Sequence, residues 1–518
     1  MIRSFLTVST GTMASRLLGF VRDSAIASLL GAGPVADAFL AAFQLVNVAR
    51  RLLTEGGLNA ALVPAWLRIR DTGGAEAAAA FAGRVLGTIT AGLIAATALL
   101  ALAMPLVITM LAPGFSGHET LQLAVDNARL MLPYLAFAGP VTVLMALLNA
   151  QGRFALTAFS PLLFNIALIA VMIVMPLIAP DAARAAQIVA ATVGIAGLLQ
   201  LTVLVSQRGV GIVTPLRISF DAEIRGFLRK AAPGMIATSA PQLLMVAGMI
   251  IASLSPSAVS WLYFANRLIE LPLGIVGVAM GTVLIPELTR ALRRDDRAAI
   301  AYAESRGLEL AVGLALPATL GLIVLSEPIV RLLFEHGAFT AADSAATAQA
   351  LTWLALALPA HVLVKALSPA FFAREDTLTP LLATVKGFVL ALVLAVVFGH
   401  IWGASGIAAA IALGAWSTAV NLIRKGAETF GFSIDTAARR RLPRMVAAAL
   451  AMGGLLWLAA RALHPALTQS SHGLAMVLPI LIVAGIAIYG LFLRLFGVTG
   501  WREGLNAIRQ NRPSDLRD

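Results

Sequence analysis

The sequence predicts an all-α polytopic membrane protein with about 14 transmembrane helices. Three observations carry this: 59% of the 518 residues are hydrophobic, only 12% are charged, and the apolar residues form runs of spanning length separated by Pro, Gly and charge. Cysteine is absent, which excludes a disulfide framework, thiolate metal ligands and a cysteine nucleophile.

The spans fall near residues 5–30, 35–62, 84–111, 122–148, 158–179, 185–206, 228–254, 259–285, 308–333, 346–371, 379–399, 404–424, 442–463 and 474–497. The first begins beside Arg3, but Arg16 and Arg22 interrupt its apolar run, so it reads as a helix and not as a cleaved leader. With the N-terminus inside, 27 basic residues fall in cytoplasmic turns and tails, and only Arg184, Arg331 and Arg461 lie opposite. This positive-inside split predicts an even number of spans, both termini cytoplasmic. The net charge of +12 is therefore topological; the basic residues form no patch with interleaved aromatics, and no nucleic-acid partner is expected.

An internal repeat divides the chain. Pro105–Phe115 matches Pro328–Phe339 at a displacement of 223 residues. Val63-Pro64 matches Ile285-Pro286 at 222, and Gly152-Arg153 before Ser160-Pro161 matches Ala373-Arg374 before Thr379-Pro380 at 219 to 221. Six spans per copy keep both copies facing the same way, related by an axis along the membrane normal. The expected organisation is a first lobe at 1–210, a second at 211–430, two added helices at 431–500 and a cytoplasmic tail at 501–518.

Eight basic residues remain inside spans: Arg16, Arg22, Arg50, Arg51, Arg129, Arg267, Lys365 and Lys386. An arginine at the bilayer centre costs roughly 2.5–3.5 kcal/mol on insertion scales, which makes each a functional hypothesis needing an anionic partner. Along the second span, at about 100° per residue, Asp37, Gln44, Asn47, Arg50, Arg51, Thr54 and Glu55 share one sector of roughly 140°. Phe39, Ala42, Val46 and Leu53 lie opposite, so this helix is expected to face a wet cavity on one side and lipid on the other. On the first span Arg16, Gly19 and Asp23 share a stripe, with Arg22 turned away. Arg267 and Glu270 stand one turn apart beside Asn266. Two readings compete. Arg16 with Asp23, Arg51 with Glu55 and Arg267 with Glu270 are buried pairs holding helices in register, or the guanidinium groups together bind a diphosphate, for which their planar forks are suited.

Other residues carry less. The six histidines are dispersed without ligand spacing, so no metal is expected. Lys365 and Lys386 either line a cavity or snorkel. Arg439, Arg440 and Arg441 suit a topology anchor or lipid headgroups. No phosphate-binding loop is present, which argues against ATP hydrolysis.

Ser15-Arg-Leu-Leu-Gly-Phe-Val-Arg-Asp23, Gly31-Ala-Gly-Pro-Val-Ala-Asp-Ala-Phe39, Asn47-Val-Ala-Arg-Arg-Leu-Leu-Thr-Glu-Gly56, Ala112-Pro-Gly-Phe115 and Ser260-Trp-Leu-Tyr-Phe-Ala-Asn-Arg-Leu-Ile-Glu-Leu-Pro272 together resemble the MurJ/MviN family. These are lipid II flippases of the multidrug/oligosaccharidyl-lipid/polysaccharide exporter superfamily. The resemblance covers essentially the whole chain. It implies a non-enzymatic, alternating-access transporter of the bacterial inner membrane. Its cargo would be undecaprenyl-diphosphate-linked disaccharide-pentapeptide, moved to the periplasmic leaflet for peptidoglycan synthesis. It implies substrate contacts from Arg16, Arg22, Arg50, Arg267 and Asn47, supported by Ser15, Asp23, Asp37, Arg51, Glu55, Ser260, Asn266 and Glu270. Helices 13 and 14 would hold the lipid tail. No cofactor is implied; the expected partners are lipid II and cell-wall synthesis machinery, and the expected state is a monomer. Asn266 stands where many members carry an acid. The segments forming a sodium site in some members have no Asp or Glu in their apolar cores here, which counts against sodium coupling. The alternatives are another polyprenyl-diphosphate-linked oligosaccharide as cargo, or multidrug export, the latter disfavoured because a cation exporter needs cavity acids rather than arginines.

Overall fold

A computed structural model describes residues 2–54, 57–178, 180–206, 216–238, 246, 248–279, 288, 290–291, 294, 296–372, 374, 376, 378–431, 435–468 and 471–498. Glu55 and the tail 501–518 lie outside these residues. The described chain is helical almost throughout, without a strand, and nine of its helices are long and apolar enough to cross a membrane. It divides into two compact units. One comprises Met1–Phe264, Leu333–Ala346 and Ala391–Ala410; the other comprises Ala265–Leu332, Thr347–Leu390 and Ile411–Asp518.

The first unit holds α1 (Ile2–Leu30), α2 (Pro34–Thr54), α3 (Gly57–Leu111), α4 (Glu119–Met131), α5 (Pro133–Ala150), α6 (Phe154–Ile178), α7 (Ala182–Val205), α8 (Ala222–Thr238) and the start of α9 (Ala258–Ala279). Local chemistry sets the boundaries. Gly31, at φ 65°, ends α1, and Pro34 opens α2 with the fixed φ that a first helical turn requires. Pro133 lacks the N–H that would join α4 to α5. Asp181 caps α7 by accepting from the Arg184 N–H at 2.7 Å.

Two expectations fail here. The cytoplasmic turn expected at 63–83 is helical, part of α3, and only Gly74 departs from helical geometry, at φ 79° and ψ −178°. Leu58, Leu62 and Trp66 before it, and Phe81, Ala82 and Val85 after it, join one buried cluster, so α3 folds back as a hairpin whose arms extend beyond the apolar stretch. The apolar side of α2 does not face lipid either. Phe39 and Ala42 are fully buried and Val46 nearly so, in protein. Neighbouring transmembrane helices are as apolar as lipid, so a hydrophobic stripe alone does not distinguish the two surroundings. Lipid-type exposure appears instead on the second arm of α3, where Leu99, Leu102, Leu106 and Met110 form an open stripe at helical spacing.

The second unit holds the rest of α9, with α10 (Arg297–Val324), most of α11 (Ser326–Phe334), the end of α12 (Ala341–Ala355), α13 (Leu358–Phe372), both ends of α14 (Leu378–Phe430), α15 (Thr436–Ala462), α16 (His464–Thr468) and α17 (Ser471–Leu495). Helix α14 covers two expected spans and breaks at Gly403, φ 56°. Two buried acids on α10 tie its neighbours together. Glu309 pairs with Arg306 at 2.6 Å and Arg441 at 3.7 Å, and Glu304 lies 3.6 Å from Arg374, whose guanidinium stacks 3.9 Å from the Phe430 ring. Asp435 caps α15 through the Ala438 N–H and receives the Ser305 hydroxyl oxygen as acceptor for its own N–H. Leu456 of α15 and Leu474, Leu478 and Leu481 of α17 share one cluster, while Met476, Ile480, Val483 and Ile486 point outward.

Candidate functional site

Among the described residues of the first unit the most deeply buried cation is Arg22, only 7% exposed. Its Nε and Nη2 donate to Asp23 Oδ1 at 2.9 and 2.6 Å, and Nη1 donates to Asn165 Oδ1 at 3.0 Å. The guanidinium carbon also sits 5.0 Å from the Phe43 ring and 5.8 Å from that of Phe164, at cation–π range. Asn165 returns its Nδ2 to the Ser15 carbonyl at 3.1 Å, locking α6 to α1 about two turns before Arg22. The Tyr263 hydroxyl donates to Asp23 Oδ1 at 3.3 Å, and Phe43 stacks edge-on against the Tyr263 ring. Thus Asp23 pairs with its neighbour Arg22, rather than with Arg16 on its own stripe.

Arg16 and Ser15 are half-buried on α1. On α2 the residues Gln44, Asn47, Arg50 and Arg51 are likewise half-buried, while Phe39, Ala42 and Val46 are packed in protein, as is Asp37 at the start of the polar sector. The proposed partner of Arg51, Glu55, lies outside the described residues.

Asp37 does a different task from the arginines. It is 2% exposed at the start of α2 and accepts three hydrogen bonds: from the N–H groups of Ser257 and Ser260 at 2.8 and 2.9 Å, and from the Ser260 hydroxyl at 2.5 Å. The carboxylate thereby caps α9, supplying acceptors to donors that a helix start leaves open. It also holds Ser257 at φ 64°, a left-handed conformation unusual for a residue with a side chain.

Arg267 and Glu270 belong to the second unit. Arg267 Nη1 donates to Glu270 Oε2 at 2.6 Å one turn along α9, both groups partly open, with Asn266 half-buried beside them. The structure therefore joins Arg22, Asp23 and Ser15 in one network, Asp37 and Ser260 in a second, and Arg267 and Glu270 in a third. Sequence reading missed Asn165, Tyr263, Phe43 and Phe164. Asn165 was the one with a signal, an amide inside the apolar run Pro161–Ile178. Chemically, half-open guanidinium groups on apolar helices offer forked donors to a polyanion, and buried carboxylates neutralise the neighbouring cation.

Comparison with known proteins agrees with this fold. The family model described as lipid II flippase MurJ matches residues 26–478. A probable lipid II flippase MurJ of Rhizobium meliloti (strain 1021) is 36% identical, covering 99% of this chain and 96% of the relative. That of Rhizobium tropici is 34% identical over 100% and 98%. A solved structure of lipid II flippase MurJ in an inward closed conformation superposes with a TM-score of 0.78 at 23% identity, covering 95% of this chain and 98% of that one. A helical multi-pass architecture and a match along nearly the whole length together place this chain in the lipid II flippase MurJ family.

Proposed function

We propose that this chain translocates lipid II, the undecaprenyl-diphosphate-linked peptidoglycan precursor, from the cytoplasmic to the periplasmic leaflet of the bacterial inner membrane. Membership of the family supports the cargo. The observation that carries the mechanism is the placement of Asn47, Arg50 and Arg51, all half-buried, on a helix whose Phe39, Ala42 and Val46 are packed in protein. Arg16, Arg50 and Arg267 bind the diphosphate with Asn47, and Arg22 joins when phosphate replaces one of its present acceptors. Arg51, Asp23, Glu270 and Glu55 balance the charge.

The two repeat copies act as lobes that rock about the substrate, the tail staying in lipid along the helices of 431–500. Asp37 fastens the start of α9 when the outer side is closed. Both termini face the cytoplasm, as the positive-inside split requires. No covalent bond changes, so the process is transport and not catalysis. A membrane potential contributes about 2.3 kcal/mol per charge per 100 mV and draws the cation-lined cavity back towards the negative inside.

Depletion with complementation tests the reading. Loss of the protein should make lipid II accumulate on the cytoplasmic face, and Arg16→Ala or Arg267→Ala should fail to restore growth at normal protein levels. Accumulation of a different lipid-linked sugar reassigns the cargo, and full rescue by both variants removes the arginine mechanism.

A further inference from the structure

The 223-residue displacement that relates Pro105–Phe115 to Pro328–Phe339 also reappears in space. Carried along the chain, it makes Leu30 equivalent to Ser253, Gly31 to Leu254, Asp37 to Ser260 and Gly114 to Gly337. The Gly114 N–H donates to Ser253 Oγ at 3.1 Å, and a Cβ on Gly114 would collide with the Ser253 carbonyl and the Leu254 backbone. In the other copy the Ala338 N–H donates to the Ser28 carbonyl at 2.8 Å, and a Cβ on Gly337, at φ 60°, would collide with that same carbonyl. Gly31 is pressed equally hard from its side, its missing Cβ 2.6 Å from the Ala338 oxygen. Each copy's loop thus sits against the C-terminal end of the other copy's first helix.

A two-fold relation demands this reciprocity: when a loop of one copy touches a helix end of the other, the converse contact must also exist. A residue that touches its own equivalent lies beside the axis. Asp37 and Ser260 are such a pair, bonded to each other and 223 positions apart. All these groups lie within one compact unit, and the expected topology puts all four turns on the outer side.

We propose that the loops around Gly114 and Gly337 are a reciprocal pair of backbone latches that close the outer end of the transporter, with Asp37 and Ser260 at their centre. The proposal rests on the alternating-access reading given above. Glycine is required at both loops because only a residue without a side chain lets the backbones meet, and the two latches open together because one rotation about the axis releases both.

The absence of native cysteine allows a direct test on the full chain. Spin labels are placed at Ser116→Cys with Pro256→Cys for one latch, and at Ala32→Cys with His336→Cys for the other. Pulsed dipolar distances are measured in phosphatidylethanolamine/phosphatidylglycerol nanodiscs with and without lipid II. Both pairs should show a longer component of equal population. Gly114→Ala and Gly337→Ala should each shift both pairs towards it by about tenfold, while Gly33→Ala, whose Cβ meets nothing, leaves the ratio unchanged. Ser253→Ala, which removes one bond without adding bulk, gives a smaller shift in the same direction and serves if a glycine variant does not fold. One pair lengthening alone, or glycine variants that leave both distributions short, overturns the latch. A latch that opens in the glycine variants but ignores lipid II refutes the cargo and leaves the latch standing.

Discussion

Arg22 shows how a membrane bundle tolerates an arginine in its interior. Each of its three nitrogens has an acceptor, its charge is matched by Asp23, and its flat faces lie near Phe43 and Phe164. Desolvation is offset only while that set is complete, because a buried donor left without its acceptor costs about 1–3 kcal/mol. Asn165→Leu should therefore lower the apparent thermal stability of the purified protein by an amount of that order, since it strips partners from both Arg22 and the Ser15 carbonyl. An unchanged melting temperature would show that the network does not hold α1 to α6. The arginine itself was legible in the sequence as a charge in an apolar run. Its partner was not, since Asn165 lies 143 residues away and spacing along one helix says nothing about a second helix.

At the level of elements, periodicity located the helices, but their ends and surroundings needed packing. The two glycine breaks in α3 and α14 show why, because helix continues on both sides of a single non-helical residue. Gly74 adopts a region of backbone space open almost only to glycine, so Gly74→Ala should destabilise the hairpin by about 1–3 kcal/mol, seen as faster amide exchange across 57–86. Exchange equal to the parent would contradict the turn. The segment 216–221 makes a second, pH-dependent element. Thr88 on α3 bonds both the N–H and the carbonyl of Ser219, and Arg84 bridges Asp221 and Glu223. The Ile224 N–H, followed by the Ser219 hydroxyl and Arg84, holds the Asp221 carboxyl below its ordinary value of 3.8. A lowered acid stabilises the fold above its unfolded value and loses that contribution as pH falls through the lowered one. Asp221→Asn at neutral pH should thus loosen the amides of 222–224, and the parent should come to resemble it only below about pH 4. Equal looseness of parent and variant at pH 7 would exclude the anchor.

For the whole molecule, the helical membrane class and the family were both readable from one chain, because the first is written in composition and the second in long motifs. The apolar face of α2 was misread for a physical reason: Phe39 and Val46 are equally content against helices or lipid, and only the contacts decide. The reciprocal loop contacts were likewise invisible, since a sequence repeat fixes which residues are equivalent but not which ones meet. The central claim is that half-buried guanidinium groups carry the diphosphate of lipid II across the bilayer. Its most direct measurement is the rate at which fluorescent lipid II changes leaflet in liposomes containing the purified protein. The parent should accelerate it, Arg50→Ala and Arg267→Ala should each slow it by about 10-fold or more, equivalent to at least ~1.4 kcal/mol, and Lys425→Ala, exposed in the last turns of α14, should match the parent. Equal rates for the parent and both arginine variants, or no acceleration over protein-free liposomes, would contradict the account.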